Sequence, residues 1–165
     1  MKPKGIVIIP DGKICSGKST YSRKISDERG AVLLIIDEAF LRVFGEAPDV
    51  EKIGDSYMKL AWYVMELAVQ FAEAGHTVVL EAGFVSKEDR DRFRSFFTKR
   101  GVPYEWHYLE VSDETQRKNI AKRNAEHKVG ESTTIYITEE FLTMFNGSFV
   151  PPEPNIVDVW VNNNW

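Results

Sequence analysis

The stretch of this sequence that points most directly to chemistry is residues 5–20, which read GIVIIPDGKICSGKST. It contains the pattern G-x-x-x-x-G-K-[ST], whose fixed positions are filled by Gly12, Gly17, Lys18 and Ser19. A short apolar strand pattern precedes it and a helix-compatible run follows it, which is the context that a phosphate-binding loop (P-loop) requires. Glycines let the amides of such a loop point at an anion, and the following helix contributes its positive N-terminal end. The residues therefore predict a site for nucleotide phosphates.

Side chains and backbone of this loop have different expected roles. The Lys18 ammonium would reach the β- and γ-phosphates, and the Ser19 hydroxyl would bind Mg²⁺. Asp11 brings a negative charge beside the site, where it is unhelpful unless the carboxylate points away. The predicted nucleotide-binding residues of the loop are Gly12, Lys13, Ile14, Cys15, Ser16, Gly17, Lys18, Ser19 and Thr20.

Length and composition indicate one ordinary globular domain over residues 1–165, with 43% hydrophobic and 28% charged residues. The net charge of −4 argues against broad nucleic-acid binding, although a local basic patch stays open. Cys15 is the single cysteine, which excludes an internal disulfide and fits a reducing compartment. The apolar run before Pro10 is too short for a signal-peptide core, and no stretch has the composition of a membrane span. We therefore expect a cytoplasmic location.

Strand and helix patterns alternate along the chain. Apolar runs predict strands at residues 5–9, 31–36, 76–80, 103–111 and 156–161, and the segments between them carry helical periodicity or capping signals. This alternation predicts an α/β fold with a parallel sheet and right-handed crossovers. Ligands of such sheets bind beyond the carboxyl ends of the strands, which is where the loop described above would lie.

Two carboxylates stand at the ends of predicted strands. Asp37 follows the run 31–36, and it suits the group that accepts the proton of an attacking hydroxyl during phosphoryl transfer. The alternative is that Asp37 caps a helix starting at Glu38. Glu81 ends the third predicted strand, in the position of an acid that holds Mg²⁺, usually through water. For Glu81 the alternative is a role in capping or turn formation.

Two arginines, Arg117 and Arg123, lie on the helix predicted after the fourth strand, so that this helix begins at the ligand edge. A charge run on a helix is usually a solvated face. A flap bearing arginines could instead close over a triphosphate, exclude water and stabilise charge in the transition state. We expect His127 to be a surface residue and His107 to pack in the core.

The chain resembles the small P-loop kinases of the AAA_33 group, ATP-binding proteins grouped with zeta toxin, chloramphenicol phosphotransferase and polynucleotide kinase. The resemblance covers nearly the whole chain and rests on GKICSGKST, LLIIDEAFLR, TVVLEAGF, DETQRKNIAKRN and FVPPEP. It implies a P-loop NTPase three-layer sandwich, with a parallel five-stranded sheet of order 2-3-1-4-5. A small helical lid is implied at about residues 124–136.

The resemblance also implies cofactors and residue roles. ATP would be the phosphoryl donor, together with Mg²⁺. Asp37 would be the base for a substrate hydroxyl, and Arg42 a substrate-side residue. Arg123 would be a catalytic lid arginine near the phosphates, while Arg117 matches a position that is commonly basic in the group. Residues 149–152 are similar to a segment that lies near the nucleotide base.

Three functions follow as hypotheses. The first is an ATP-dependent kinase that transfers the γ-phosphoryl group to a hydroxyl of a small-molecule or sugar-type substrate. The second is a kinase for nucleic-acid 5′ ends or nucleotides, which predicts a basic groove leading to Asp37. The acidic balance and the few basic residues between Glu38 and Glu51 disfavour it. The third is a nucleotide-binding switch or toxin-like protein with little transferase activity.

Overall fold

The computed structural model of the protein describes residues 4–46, 50–130 and 133–163. The elements are β1 Val7–Asp11, α1 Lys18–Arg29, β2 Val32–Ile35, α2 Ile36–Phe44, α3 Val50–Glu73, β3 Val78–Glu81, α4 Lys87–Lys99, β4 Tyr104–Glu110, α5 Asp113–Glu126, α6 Glu139–Ser148 and β5 Val159–Asn162. A short 3-10 helix covers Pro154–Ile156.

The strands form a single parallel sheet of five strands in the order β2-β3-β1-β4-β5. Successive side chains of the central strand β1 point to opposite faces. Ile8 packs with Ile25 of α1 on one face, whereas Val7 and Ile9 pack with α3 and α4 on the other. All three β1 residues are fully buried, as expected for a strand covered by helices on both sides. The predicted three-layer α/β sandwich and its strand order are confirmed.

Strand β1 runs through Pro10 to Asp11, beyond its predicted end. Proline lacks an N–H and is usually excluded from central strands. The Val7 amide donates to Pro103 on the side of β4, and successive amides alternate in direction, so the nitrogen of Pro10 is directed toward β3. Pairing between β1 and β3 stops at Ile8, so Pro10 lies beyond the paired residues and its missing N–H costs no hydrogen bond between the two strands.

The prediction of one strand over residues 31–36, covered on both faces, is wrong in two respects. Strand β2 lies at an edge of the sheet and is mostly half-buried. It ends at Ile35, and α2 begins at Ile36, so Asp37 lies in the first turn of α2 rather than after a strand. Because Ile35 and Ile36 are both buried, the apolar pattern continues across the boundary and hides it.

Two segments in the C-terminal third also differ in detail from the sequence pattern. In the segment expected to be a lid, residues 124–126 end α5, and the described residues 127–130 and 133–136 form turns and extended backbone. The last strand begins at Val159, because the 3-10 helix takes up Ile156. Within the described residues, no helix is long and apolar enough to cross a membrane.

A buried ion pair lies beneath the end of β1. Arg90 of α4 donates from Nε to Asp11 Oδ2 at 2.6 Å, and the indole of Trp106 donates to the same oxygen at 3.1 Å. Arg90 also donates to the Val150 carbonyl at 2.5 Å. Asp11 is 0% and Arg90 is 1% exposed. The Asp11 carboxylate is therefore directed into the core and is neutralised there, and the same arginine ties residue 150 to α4.

Replacing Arg90 by alanine should leave the Asp11 carboxylate buried without its cation. We expect the free energy of unfolding to fall by about 3–5 kcal/mol, the usual loss when one member of a buried pair is removed. Urea denaturation followed by circular dichroism measures this loss. The control is Arg92→Ala, since Arg92 is exposed on the same helix. Equal stability of the two variants would contradict a structural role for the pair.

Candidate functional site

Residues 12–17 form the loop between β1 and α1, and α1 begins at Lys18. Gly17 has a φ of +92°, and a Cβ there would lie 2.2 Å from Asn163 Nδ2. A Cβ on Gly12 would lie 2.8 Å from the Leu109 carbonyl oxygen. Both motif glycines are thus required by close approach of neighbouring groups, and Gly17 also by its backbone conformation. The strand–loop–helix arrangement predicted from the motif is present.

Each carbonyl oxygen of residues 12–16 accepts a hydrogen bond from a side chain. Lys18 Nζ reaches two of them, at 3.0 and 2.8 Å, and side-chain amides reach the other three. The pairs are Gly12 and Lys13 with Lys18, Ile14 with Gln116, Cys15 with Asn119, and Ser16 with Asn163. The Ser16 amide donates to the Lys13 carbonyl at 3.1 Å. Because the carbonyls are turned toward the protein, the other backbone amides are the polar groups that the loop can offer to an anion.

Helix α5 lies along the loop and supplies most of these anchors. Gln116 donates to the Ile14 carbonyl at 2.9 Å, and Asn119 donates to the Cys15 carbonyl at 3.0 Å. At the start of the helix, Asp113 pairs with Lys13 at 2.9 Å. Asp113, Gln116 and Asn119 are spaced three residues apart, so they share one face of α5. Gln116 and Asn146 of α6 also exchange two hydrogen bonds of 3.1 Å, which extends the support to α6.

The backbone of Cys15 is strained. Its φ is +54°, and within the described ranges it is the only residue other than glycine with a positive φ. Such a conformation persists in a residue with a Cβ only where surrounding contacts hold it. Here Asn119 holds the carbonyl, and Arg123 Nη1 lies 3.2 Å from Cys15 Sγ. Cys15 is a free thiol in the structure.

Asp37 is exposed on the first turn of α2. It does not cap that helix: the N-cap residue is Ile35, with no side-chain capping bond. The Tyr57 hydroxyl donates to Asp37 Oδ1 at 2.6 Å. A Cβ on Gly83, two residues after Glu81, would lie 3.8 Å from both Asp37 carboxylate oxygens. The two predicted strand-end acids therefore meet at the same edge of the sheet.

Glu81 lies at the end of β3 and is 3% exposed. Its Oε1 accepts a hydrogen bond of 2.9 Å from the Ser19 hydroxyl. Burial raises the pKa of Glu81, and the charge of Lys18 and the hydroxyls of Ser22 and Ser19 oppose this rise in part. Ser19 and Glu81, predicted separately as metal ligands, are thus adjacent, and Lys18 is close to both.

Comparison with known proteins assigns the chain to a family. Residues 7–146 match AAA_33, which is described as an AAA domain. The chain belongs to the AAA_33 family. No curated protein matches the sequence. The family suggested by the sequence motifs is therefore confirmed.

Solved structures with the same fold as this AAA_33 chain include kinases of low sequence identity. A gluconokinase from Sinorhizobium meliloti 1021 is 16% identical, with a TM-score of 0.63 over 99% of this chain and 85% of that one. The Mycobacterium tuberculosis APS kinase CysC, in complex with AMPPNP and APS, is 17% identical, with a TM-score of 0.65 over 97% and 89%. A chain of the Pnkp1/Rnl/Hen1 RNA repair complex is 17% identical, with a TM-score of 0.64 over 90% of this chain and 46% of that one. These likenesses confirm the fold.

The three predicted site arginines of this AAA_33 chain differ in their contacts, and one of them reaches the loop. Arg123 reaches it at Cys15 Sγ. Arg117 instead pairs with Glu139 of α6 at 3.4 Å, and both are exposed. Arg42 is exposed in the last turn of α2. Roles for these three arginines stay predictions.

His107 and His127 both have defined surroundings. His107 is 1% exposed, and its ring contacts the Tyr21 hydroxyl at 2.8 Å, which confirms the expected core position. The expectation of a surface position for His127 is wrong, since its side chain is only 6% exposed. It packs against Tyr136 and lies 3.4 Å from Glu46 Oε2. Glu46 is distant in sequence, so the residues around His127 gave no sign of this contact.

The sequence did not reveal the three amide anchors, Gln116, Asn119 and Asn163. For the first two a signal existed, because their spacing places them on the same face of a helix that follows the fourth strand. Asn163 follows the last strand in a polar segment that carries no motif. It is 8% exposed, and its backbone N–H donates to the Glu110 carbonyl at 2.9 Å. Its role depends on the sheet order, which brings β5 beside β4.

The Ser19–Glu81 pair fits Mg²⁺. Glu81 Oε2 is buried and makes no hydrogen bond of good geometry within the described residues, although Ser22 lies nearby. A hydroxyl and a carboxylate are oxygen ligands of the kind that Mg²⁺ prefers, with water and phosphate oxygens completing its shell. Among the described residues no cluster of three or more His, Cys, Asp or Glu side chains could hold a metal alone. The pair therefore suits a cation that arrives with a phosphate ligand.

The anchoring of the loop carbonyls can be tested at Gln116. We expect Gln116→Leu to weaken the affinity for Mg·ATP about tenfold, which corresponds to ~1.4 kcal/mol, because the Ile14 carbonyl loses its donor and the loop loosens. Calorimetric titration with Mg·ATP measures the change. Gln70→Leu is the matched control, since Gln70 is exposed on α3. Unchanged affinity in Gln116→Leu would contradict the anchoring role.

A second expectation follows from the raised pKa of Glu81. Its folded-state pKa exceeds its unfolded value, so the ionised carboxylate weakens the fold at neutral pH, and this penalty disappears as the pH falls through the folded-state pKa. Without Mg²⁺, Glu81→Gln should therefore raise the urea concentration at the unfolding midpoint near neutral pH. Below pH 4.5, the ordinary pKa of a glutamate carboxyl, it should have no such effect. Glu66→Gln, on an exposed part of α3, should change neither midpoint. A gain of equal size at both pH values would refute this account.

Proposed function

We propose that the protein is an ATP-dependent kinase that transfers the γ-phosphoryl group to a hydroxyl of a small-molecule or sugar-type substrate. The observation that carries the proposal is the meeting of three features at one edge of the sheet. These are the anchored phosphate loop, the Ser19–Glu81 pair and the exposed carboxylate of Asp37. Membership of AAA_33 and the kinases among the structures of similar fold support it.

Nucleotide binding would use the loop backbone and Lys18. The amides of residues 12–20 would surround the phosphates, and the N-terminal end of α1 would add its positive dipole. In the structure the Lys18 ammonium is held by two loop carbonyls, so it would exchange these bonds for oxygens of the β- and γ-phosphates. Ser19 and Glu81 would hold Mg²⁺, which neutralises phosphate charge when bound.

Asp37 would act as the base for the acceptor. The oxygen of the acceptor hydroxyl attacks the γ-phosphorus, the bond from that phosphorus to the bridging oxygen of ADP breaks, and the hydroxyl proton passes to Asp37. ADP leaves with the electron pair of the broken bond. Arg123, whose guanidinium contacts the loop at Cys15, would neutralise charge that develops on the phosphates. Arg42, on the same helix as Asp37, would face the acceptor, and Arg117 would join the nucleotide side.

A small acceptor fits the charges near Asp37 better than a nucleic acid does. On α2, Asp37 is followed by Glu38, which forms an ion pair with Arg23 of α1. Glu46, just beyond the helix, pairs with His127. Arg42 is the one basic residue of α2, so this helix lacks the row of cations that a phosphodiester backbone would need beside the exposed base. The gluconokinase and the APS kinase of similar fold are consistent with a small acceptor.

The role of Asp37 can be tested with γ-labelled ATP. Wild-type protein incubated with a metabolite extract should give a labelled product, and Asp37→Asn should lower the rate of labelling by about 10²–10⁴-fold, because proton transfer to the base is lost. Mg·ATP affinity should stay within about twofold of wild type, because no hydrogen bond or ion pair described in the structure joins Asp37 to residues 12–17. Lys18→Ala should lose both affinity and labelling.

Two controls separate the competing functions. Asp55→Asn removes a carboxylate that pairs with Lys59 on the exposed surface of α3, and it should label normally. A second incubation replaces the extract by an RNA or DNA oligonucleotide with a 5′-hydroxyl, whose preferential labelling would favour the nucleic-acid kinase. Tight ATP binding without any labelled product would favour the nucleotide-binding switch. Normal labelling by Asp37→Asn would refute the proposed base.

A further inference from the structure

The Tyr57 hydroxyl forms hydrogen bonds with both Asp37 and Gly83. The hydroxyl oxygen lies 2.6 Å from Asp37 Oδ1 and 3.2 Å from the Gly83 nitrogen. A Cβ on Gly83 would lie 3.8 Å from both Asp37 oxygens and from the Tyr57 hydroxyl. Helix α2, helix α3 and the segment after β3 therefore converge on the Asp37 carboxylate.

The chemistry of the partners fixes the direction of both hydrogen bonds. A backbone amide can only donate, so Gly83 donates to the tyrosine oxygen. The single hydroxyl proton of Tyr57 is then free to point at Asp37, which accepts it. Burial and the adjacent Asp37 charge raise the pKa of Tyr57 well above its usual value, so this proton is retained throughout the neutral range.

The tyrosine ring is held by the same helix that carries Asp37. Its centroid lies 5.6 Å from that of Phe40, which is 7% exposed. Asp37 is exposed, and a solvated carboxylate on a helix can rotate among several rotamers. A half-buried ring whose hydroxyl is oriented by Gly83 would restrict that rotation.

We propose that Tyr57 is a positioning residue that fixes the Asp37 carboxylate for proton transfer, with Oδ1 engaged by tyrosine and Oδ2 presented to the acceptor hydroxyl. This role rests on the proposed function, because it assumes that Asp37 is the base. Holding a catalytic group in its productive geometry lowers the barrier of the chemical step and leaves binding of a remote ligand unchanged. Tyr57 would therefore act on the rate of transfer and not on nucleotide affinity.

The test compares Tyr57→Phe with Tyr63→Phe, a control on the exposed side of α3. With γ-labelled ATP and a metabolite extract, Tyr57→Phe should lower the rate at saturating ATP about 10- to 30-fold and leave the KM for ATP within twofold. Tyr63→Phe should match wild type in both quantities. In the Asp37→Asn background, Tyr57→Phe should cause no further loss, because a positioning residue has no effect once its target is absent.

Stability measurements give a second readout that does not depend on catalysis. Urea unfolding of wild type, Tyr57→Phe, Asp37→Asn and the double variant measures the coupling between the two side chains. Coupling together with the loss of rate supports the proposal. A Tyr57→Phe variant with the wild-type rate, or with a loss that adds fully to that of Asp37→Asn, overturns it while the proposed function stands. Normal labelling by Asp37→Asn removes the proposed base, and the positioning role with it.

Discussion

The structure depends on the fixation of the carbonyl oxygens in the phosphate loop. A short loop between a buried strand and a helix has more carbonyls than its own backbone can satisfy, and an unpaired buried acceptor is expensive. Here Lys18 and three side-chain amides occupy the carbonyls of residues 12–16. These bonds keep the acceptors out of the anion site and hold Cys15 at its strained φ of +54°. This requirement constrains the packing, since α5 and the end of β5 must lie close enough to donate to the loop, and α6 supports Gln116 through Asn146.

The same arrangement explains how charge is distributed around the site. Asp11 would weaken anion binding if it faced the loop, and its pairing with Arg90 and Trp106 directs it into the core. Glu81 remains at the site, buried and in contact with Ser19, where a carboxylate is useful only if a cation joins it. Asp37 is the exposed acid, and its surroundings on α2 and α3 orient it without neutralising it. The three carboxylates therefore differ in their partners: Asp11 is paired with a cation in the core, Glu81 is buried beside Ser19, and Asp37 is exposed and bonded to Tyr57.

Local patterns predicted those features that depend on neighbouring residues. Gly12, Gly17 and Lys18 identified the loop because its geometry is set within a few residues. The boundary at Ile36 was missed, since a buried residue opening a helix looks like the continuation of a strand. Asn163 could not be assigned to the loop, because its partner Ser16 is 147 residues away and only the sheet order brings them together. The strand order itself came from resemblance to a family, and the structure confirms it. Long-range packing, as for His127 and Glu46, has no local signature.

The most direct measurement is a crystal structure of the protein with magnesium and a non-hydrolysable ATP analogue. The account requires the triphosphate to lie on the amides of residues 12–20, with Lys18 moved from the Gly12 and Lys13 carbonyls to the phosphates. The side-chain amides of Gln116, Asn119 and Asn163 should keep their loop carbonyls, and Asp37 should face the terminal phosphate. A triphosphate bound elsewhere, or loop carbonyls that turn toward it, would contradict the account.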